Sequence, residues 1–117
     1  MARVPLLRQG RVLIASVPEG LDDSDLLAFQ NELLTTIGRH QATGVVVDLS
    51  ALDVVDSFTA RMLQQVVRAA RLRGARAVLI GIRPDVAYAM VRLGLTLDVP
   101  AARDLDDALA WLDRQVA

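Results

Sequence analysis

The sequence contains no cysteine, which excludes disulfide bonds, thiolate nucleophiles and cysteine-ligated metal sites. It has one histidine, His40, so a zinc or iron site built from several histidines is also excluded. All 13 basic residues are arginine, and a chain without lysine has no Schiff-base or general-base lysine. Aromatic residues make up only 3%, too few for a platform that stacks nucleic-acid bases. We therefore predict that the protein holds no metal and no cofactor.

Strong charge imbalance and long apolar runs are absent as well. The 13 basic residues are matched by 14 acidic ones, a balance that argues against a nucleic-acid binder. No apolar run approaches the roughly 18 residues of a membrane span, and Gln9 and Gly10 interrupt the N-terminus before a signal-peptide core can form. We therefore predict a cytoplasmic protein that contacts neither nucleic acid nor membrane. The length of 117 residues and the apolar content of 53% predict one domain, residues 1–117, with a full hydrophobic core.

Apolar runs and helix signals alternate along the chain and predict an α/β fold. A turn at Gly10 separates two strands, 4–9 and 11–17, which form a hairpin at the sheet edge. Each later strand is followed by a helix, so the rest of the sheet is predicted to be parallel, with about four packing helices. The remaining predicted elements are a helix with Asp22, Asp23 or Ser24 as its N-cap and closed by Gly38 near residue 39, a strand at 44–49, a helix at 57–73 stopped by Gly74, a strand at 76–82, a short helix between Pro84 and Gly94, a strand at 95–99 stopped by Pro100, and a last helix capped by Asp104.

Motifs for catalysis or nucleotide binding are missing. The sequence contains neither Gly-x-Gly-x-x-Gly nor the Gly-x-x-x-x-Gly-Lys pattern of phosphate-binding loops. A serine–histidine–acid triad from His40, Ser57 and an aspartate would lack the Gly-x-Ser-x-Gly turn that exposes such a nucleophile. We therefore predict that the protein is not an enzyme. A small enzyme or nucleotide-binding module is the least favoured alternative.

The segment from residue 48 to 61 carries the strongest signal of a functional site. It joins the carboxyl end of a central strand to a helix N-terminus, where ligands and partners gather in open α/β sheets. Ser57 opens this helix, beside backbone N–H groups without intrahelical partners and the positive end of the helix dipole. An ordinary N-cap at Asp56 or Ser57 accounts for the same residues. Helical spacing adds a polar stripe that begins at the hydroxyl and comprises Ser57, Arg61, Gln64, Arg68 and Arg71.

Five short motifs in order resemble the STAS domain family (sulphate transporter and anti-sigma factor antagonist), and the resemblance covers essentially the whole chain. The motifs are Asp48-Leu49-Ser50, Val55-Asp56-Ser57-Phe58, Arg73-Gly74-Ala75, Gly81-Ile82-Arg83-Pro84 and Leu93-Gly94. Anti-sigma factor antagonists usually have Asp-Ser-Ser-Gly at the helix start, where this chain has Asp56-Ser57-Phe58-Thr59. That departure and the Gly-Ile-Arg-Pro motif are similar to the stressosome branch. The single-domain length is similar to the small scaffold-antagonists of that branch, the RsbS type.

The resemblance implies a regulatory scaffold without catalysis of its own. In that branch a serine/threonine switch kinase phosphorylates the residue at the helix start, which here is Ser57. The unphosphorylated protein holds the kinase in a large hetero-oligomeric complex with STAS-containing sensor paralogues. Phosphorylation releases the kinase to activate a stress-response, sigma-factor or second-messenger pathway, and a phosphatase acts on Ser57. The candidate partner-binding residues around it are Asp56, Phe58, Thr59, Arg61, Gln64 and Arg68.

An ordinary anti-sigma factor antagonist, which binds an anti-sigma factor kinase, is the main alternative. Phe58 and Thr59, in place of serine and glycine, count against it. The sensor paralogues often carry a second phosphorylatable threonine after Gly-Ile-Arg-Pro, and residues 86–89 contain none. A scaffold also needs assembly surfaces, and the sequence offers the outer strand of the hairpin and Trp111. For Trp111, packing on its own sheet is the favoured interpretation.

Overall fold

The computed structural model describes residues 4–94 and 100–116, which form one five-stranded sheet and four helices. The strands follow one another across the sheet in chain order; the first two are antiparallel and the others parallel. This confirms the predicted α/β fold with its edge hairpin and four helices. The elements are β1 (Leu6–Gln9), β2 (Val12–Ser16), α1 (Asp23–His40), β3 (Gly44–Asp48), α2 (Ser57–Leu72), β4 (Arg76–Ile80), α3 (Pro84–Arg92), β5 (Ala101–Ala102) and α4 (Leu105–Val116).

Strand alternation divides the core between the two faces of the sheet. Val45 and Val47 of β3 pack in a large cluster with α1, α2 and α3, whereas Val46 points to the other face and packs with α4. On that second face α4 approaches β3 closely. A Cβ added to Gly44 would lie 2.9 Å from Cδ1 of Leu112, so the glycine makes room for the leucine. Three helices therefore cover one face, and a single helix covers part of the other.

The helix α1 begins after one of its three predicted N-cap candidates, and its end differs from the predicted one. Asp22 is the N-cap, and it forms a capping box in which its Oδ1 accepts the Asp25 N–H at 2.8 Å. The prediction that Gly38 closes the helix was wrong. Gly38 lies within the last turn, and Gln41 makes the left-handed turn with a φ of 49°. The space above Gly38 is taken by the Arg73 side chain of α2, whose Nη1 would be 3.2 Å from an added Cβ.

The described strand that borders β4 begins after Pro100, whereas the sequence predicted a strand before it. The Pro100 carbonyl accepts the Leu79 N–H at 2.9 Å, and Ala101 and Ala102 continue the pairing. Proline lacks an N–H but keeps its carbonyl, which suits an edge position. The predicted strand at 95–99 lies outside the described residues. The strand predicted at 76–82 ends at Ile80, because Gly81 turns the chain with a φ of 70°.

Candidate functional site

The loop between β3 and α2 is tied to the sheet at its first residues. Asp48 Oδ1 accepts the Ser50 N–H at 2.9 Å, which bends the chain directly after β3. The Leu49 N–H donates to the Ile80 carbonyl at 2.9 Å, and Leu49 is buried. The loop therefore leaves the sheet at the carboxyl ends of β3 and β4 from a fixed position.

Two residues of the Gly-Ile-Arg-Pro motif hold this loop from the other side. The Arg83 guanidinium donates to the Ser50 carbonyl at 3.2 Å and forms an ion pair with Asp53. Gly81 lies so close to the loop that an added Cβ would be 2.8 Å from both Asp48 Oδ1 and Ser50 Cβ. Gly81 and Arg83 of this motif therefore hold the loop between β3 and α2 in place. In the sequence this motif indicates only the family, because no local pattern reveals partners 33 and 30 positions away.

A third loop, between β2 and α1, reaches the same place through Glu19. A hydrogen bond between the Glu19 and Asp53 carboxyl groups raises the pKa of Glu19 from its ordinary value of 4.5. The negative charge of Asp53 raises this pKa further, while Arg83 opposes the shift. Glu19 therefore lies beside Asp53, and the Arg83–Asp53 ion pair joins the loops that follow β3 and β4, where α2 begins.

At the start of α2, Asp56 and Thr59 are occupied with each other. Asp56 is the N-cap, and its Oδ1 accepts the Thr59 N–H at 2.8 Å. That bond, with a second from the Thr59 side chain, lowers the pKa of Asp56 below its ordinary value of 3.8. Thr59 is half-buried. Ser57, the first helical residue, is exposed at the positive end of the helix dipole.

The other predicted site residues divide between surface and core. Arg61 and Arg68 are exposed, and Arg61 Nε lies 3.5 Å from the Ser57 carbonyl oxygen. Gln64 is half-buried and engaged in a contact of its own. Phe58 is half-buried against the large core cluster, and it also lines a groove between α1 and α2 with the exposed Leu27. The structure therefore brings Ser57, Phe58 and Arg61 together, and Leu27 is a neighbour that the sequence analysis missed.

The structure separates the two residues of the imagined triad. His40 ends α1 shortly before the start of β3, and its Nδ1 lies 2.9 Å from Arg8 Nη1. Ser57 follows the opposite end of β3. A five-residue strand is about 16 Å long, so His40 cannot accept a proton from Ser57. Within 4–94 and 100–116 the structure shows no group of three or more side chains suited to a metal ion.

Comparison with known proteins assigns the family. Residues 3–108 match the STAS domain. The chain belongs to the STAS domain family. This STAS domain is 30% identical over 101 residues to the RsbT co-antagonist protein RsbRA of Bacillus subtilis (strain 168), a match that covers 82% of the chain. The chain spans only 37% of the length of RsbRA.

Two solved structures are similar over nearly their whole length. RsbS of Moorella thermoacetica, in a variant with one serine replaced by glutamate, has a TM-score of 0.88 and 37% identity, and the match covers 98% of each chain. A chain from the molecular architecture of the stressosome, a signal integration and transduction hub, has a TM-score of 0.85 and 36% identity, with 96% of this chain and 98% of that one covered. The fold and the resemblance to the stressosome branch are thereby confirmed.

A membrane-spanning helix is not among the four described helices, none of which is both long and apolar enough. The predicted cytoplasmic location, the absence of enzymatic activity and the extent of the domain over residues 1–117 stay predictions.

Proposed function

We propose that this STAS domain is a non-enzymatic scaffold that sequesters a serine/threonine switch kinase and releases it when Ser57 is phosphorylated. Its partners in the complex are STAS-containing sensor paralogues, and a phosphatase resets Ser57. The similarity to RsbS and to the RsbT co-antagonist RsbRA supports the scaffold role. Ser57 is exposed at the start of α2, and this exposure is the observation that supports it as the phosphorylation site.

The geometry at the helix start favours Ser57 over the neighbouring hydroxyl. A kinase must reach the hydroxyl oxygen, and Ser57 presents it to solvent. Thr59 is half-buried, and phosphate on its hydroxyl would place a dianion beside the Asp56 carboxylate that caps the helix. Two positions along a helix also turn the side chain about 200° around the axis.

Phosphate on Ser57 would change the local energy little. The helix N-terminus stabilises an exposed anion by about 0.3–1 kcal/mol, and Arg61 is near enough to pair with it. The Asp56 carboxylate repels the phosphate, and both effects are small at an exposed site. The switch is therefore expected in the kinase complex, where an uncompensated dianion would be desolvated at a cost of several kcal/mol.

Kinase affinity of two variants tests this proposal. Ser57→Ala is expected to keep the kinase bound, and Ser57→Asp to weaken binding by more than about a hundredfold, the equivalent of roughly 3 kcal/mol. Circular dichroism of both variants should match that of the unmodified protein. Undiminished binding by Ser57→Asp, or release that accompanies unfolding, would contradict the mechanism.

The phosphorylation site is tested separately by mass spectrometry of the kinase-treated protein. We expect phosphate on Ser57 alone and none on the Ser57→Ala variant. Phosphate found mainly on Thr59, Ser50 or Ser24 would overturn the assignment. Recovery of an anti-sigma factor in place of the switch kinase in a pull-down would favour the ordinary antagonist function.

A further inference from the structure

The solvent-facing side of α2 carries positive charge without any negative charge. The helix contains Arg61, Arg68 and Arg71, all exposed, and no acidic residue. In the described part of the chain no carboxylate forms an ion pair with any of these three arginines. By contrast, α4 contains three aspartates and one arginine. A protein with a net charge of −1 has therefore concentrated positive charge on one helix face.

An exposed leucine lies in the same row as two of these arginines. Arg68 and Leu72 follow Arg61 by seven and eleven positions, which places each of them within about 20° of Arg61 around the helix axis. Leu72 is 91% exposed, the largest value among the large apolar side chains of the described chain. It lies on the polar side of an otherwise amphipathic helix, so core packing does not explain it.

Arg61, at the other end of this row, lines the groove between α1 and α2. The groove has a volume of about 210 Å³, and Leu27, Phe58, Met62 and Arg61 are among the residues that line it. Leu27 is half exposed at its rim. Apolar side chains therefore lie at both ends of the cationic row, and the row begins one turn from Ser57.

We propose that this face of α2, consisting of Leu27, Phe58, Arg61, Arg68 and Leu72, binds an acidic surface of the switch kinase. The inference rests on the proposed function and adds the chemistry of the partner surface. Arginine together with exposed apolar side chains is typical of protein–protein interfaces. Nucleic-acid binding would instead require more basic residues along the groove and aromatic platforms, which this chain lacks.

The position of the surface also explains how one phosphate can act on it. Ser57 lies about 40° from Arg61 around the helix, at the head of the cationic row. A phosphate there adds about −1.5 to −2 charges, repels an acidic partner and competes with it for Arg61. Phosphorylation would thus replace positive with negative charge at the Ser57 end of this surface.

Charge reversal in the middle of the row tests the inference without touching the phosphorylation site. Arg68→Glu is expected to weaken kinase binding about tenfold or more at low salt, and Leu72→Ala by a smaller factor. The affinity of the unmodified protein should fall as salt is raised, and that of Arg68→Glu should depend less on salt. Arg114→Glu makes the same charge change on α4, and Val91→Ala removes an exposed apolar side chain on α3, so both serve as controls.

The outcomes separate this inference from the proposed function. If Ser57→Asp releases the kinase but Arg68→Glu binds it like the unmodified protein, only the docking surface is wrong. If Arg68→Glu and Arg114→Glu lose kinase affinity equally, the effect is one of general charge, and the docking surface is wrong as well. Binding of duplex DNA at physiological salt that Arg68→Glu abolishes would assign the surface to nucleic acid. If the unmodified protein binds no kinase, both the function and the surface are wrong.

Discussion

At the residue scale, Asp56 and Thr59 are bonded to each other at the start of α2, beside the exposed Ser57. The Asp56 carboxylate accepts the Thr59 N–H at 2.8 Å, Thr59 is half-buried and Ser57 is exposed. The sequence was sufficient to predict a helix start at Ser57 with Asp56 or Ser57 as its cap, because both depend on neighbours within one helical turn, and the structure assigns the cap to Asp56. It did not predict that the Thr59 N–H donates to the Asp56 carboxylate, because both Asp56 and Ser57 were candidate caps.

Removal of the Asp56 side chain should destabilise the protein in a pH-dependent way. Asp56→Ala is expected to lower the free energy of unfolding by about 1 kcal/mol at neutral pH, because α2 loses its N-cap. The folded protein lowers the pKa of Asp56, so the carboxylate stabilises the fold above pH 3.8 and loses this effect as the pH falls further. The stability difference between the variant and the unmodified protein should therefore shrink below that pH in thermal unfolding.

Asp113→Ala is the matched control, since it removes an exposed carboxylate from α4 that makes no capping bond in the described structure. A loss of stability as large as that of Asp56→Ala, or one for Asp56→Ala that does not change with pH, would contradict the role of the cap.

At the element scale, what could be predicted depended on the distance along the chain between interacting residues. Helix starts at Asp22, Asp56 and Asp104 follow from local capping, and all three caps are present. The end of α1 was mispredicted, because Gly38 lies within the last turn, next to the Arg73 side chain, and Gln41 makes the left-handed turn instead. The support of the loop between β3 and α2 by Arg83 was also not predicted. Its partners, Ser50 and Asp53, lie far from Arg83 along the chain.

The contact of Gly81 with the site loop gives a sharp test of that support. Gly81→Ala is expected to destabilise the protein by about 1–3 kcal/mol more than Gly74→Ala, because its Cβ would overlap Asp48 and Ser50. Both glycines have positive φ, 70° and 88°, so the backbone strain is similar. Nothing lies within 4 Å of a Cβ at Gly74. Equal unfolding free energies for the two variants would show that the loop yields to the methyl group.

At the scale of the whole molecule, the two faces of the sheet are covered unequally. On the α4 face the small core cluster is flanked by Val12 and Ile14 of β2, which are only partly buried, and Leu7 of the edge strand β1 is 65% exposed. Trp111 is half-buried against that cluster, as the favoured interpretation of the sequence expected. The hairpin edge is therefore the better candidate for assembly.

Mixing experiments test the scaffold role at this scale. The protein and a sensor paralogue are expected to form a particle far larger than either one, measured by size-exclusion chromatography with light scattering. Leu7→Asp should reduce the amount of this particle, because a charge would be buried at the hairpin edge. Elution of the mixture at the two separate positions would count against a scaffold, and an unaffected Leu7→Asp against this edge.

The single helix over the second face also has a consequence for biosynthesis. All five strands are synthesised before α4, which supplies Ala108 and Leu112 to the cluster around Val46, Val78 and Ile80. Until α4 has left the ribosome and folded back, the nascent chain exposes these buried apolar side chains to solvent. Exposed strands of this kind are the usual starting point of aggregation. The dependence of the growing polypeptide on chaperones should therefore be greatest just before the last helix emerges.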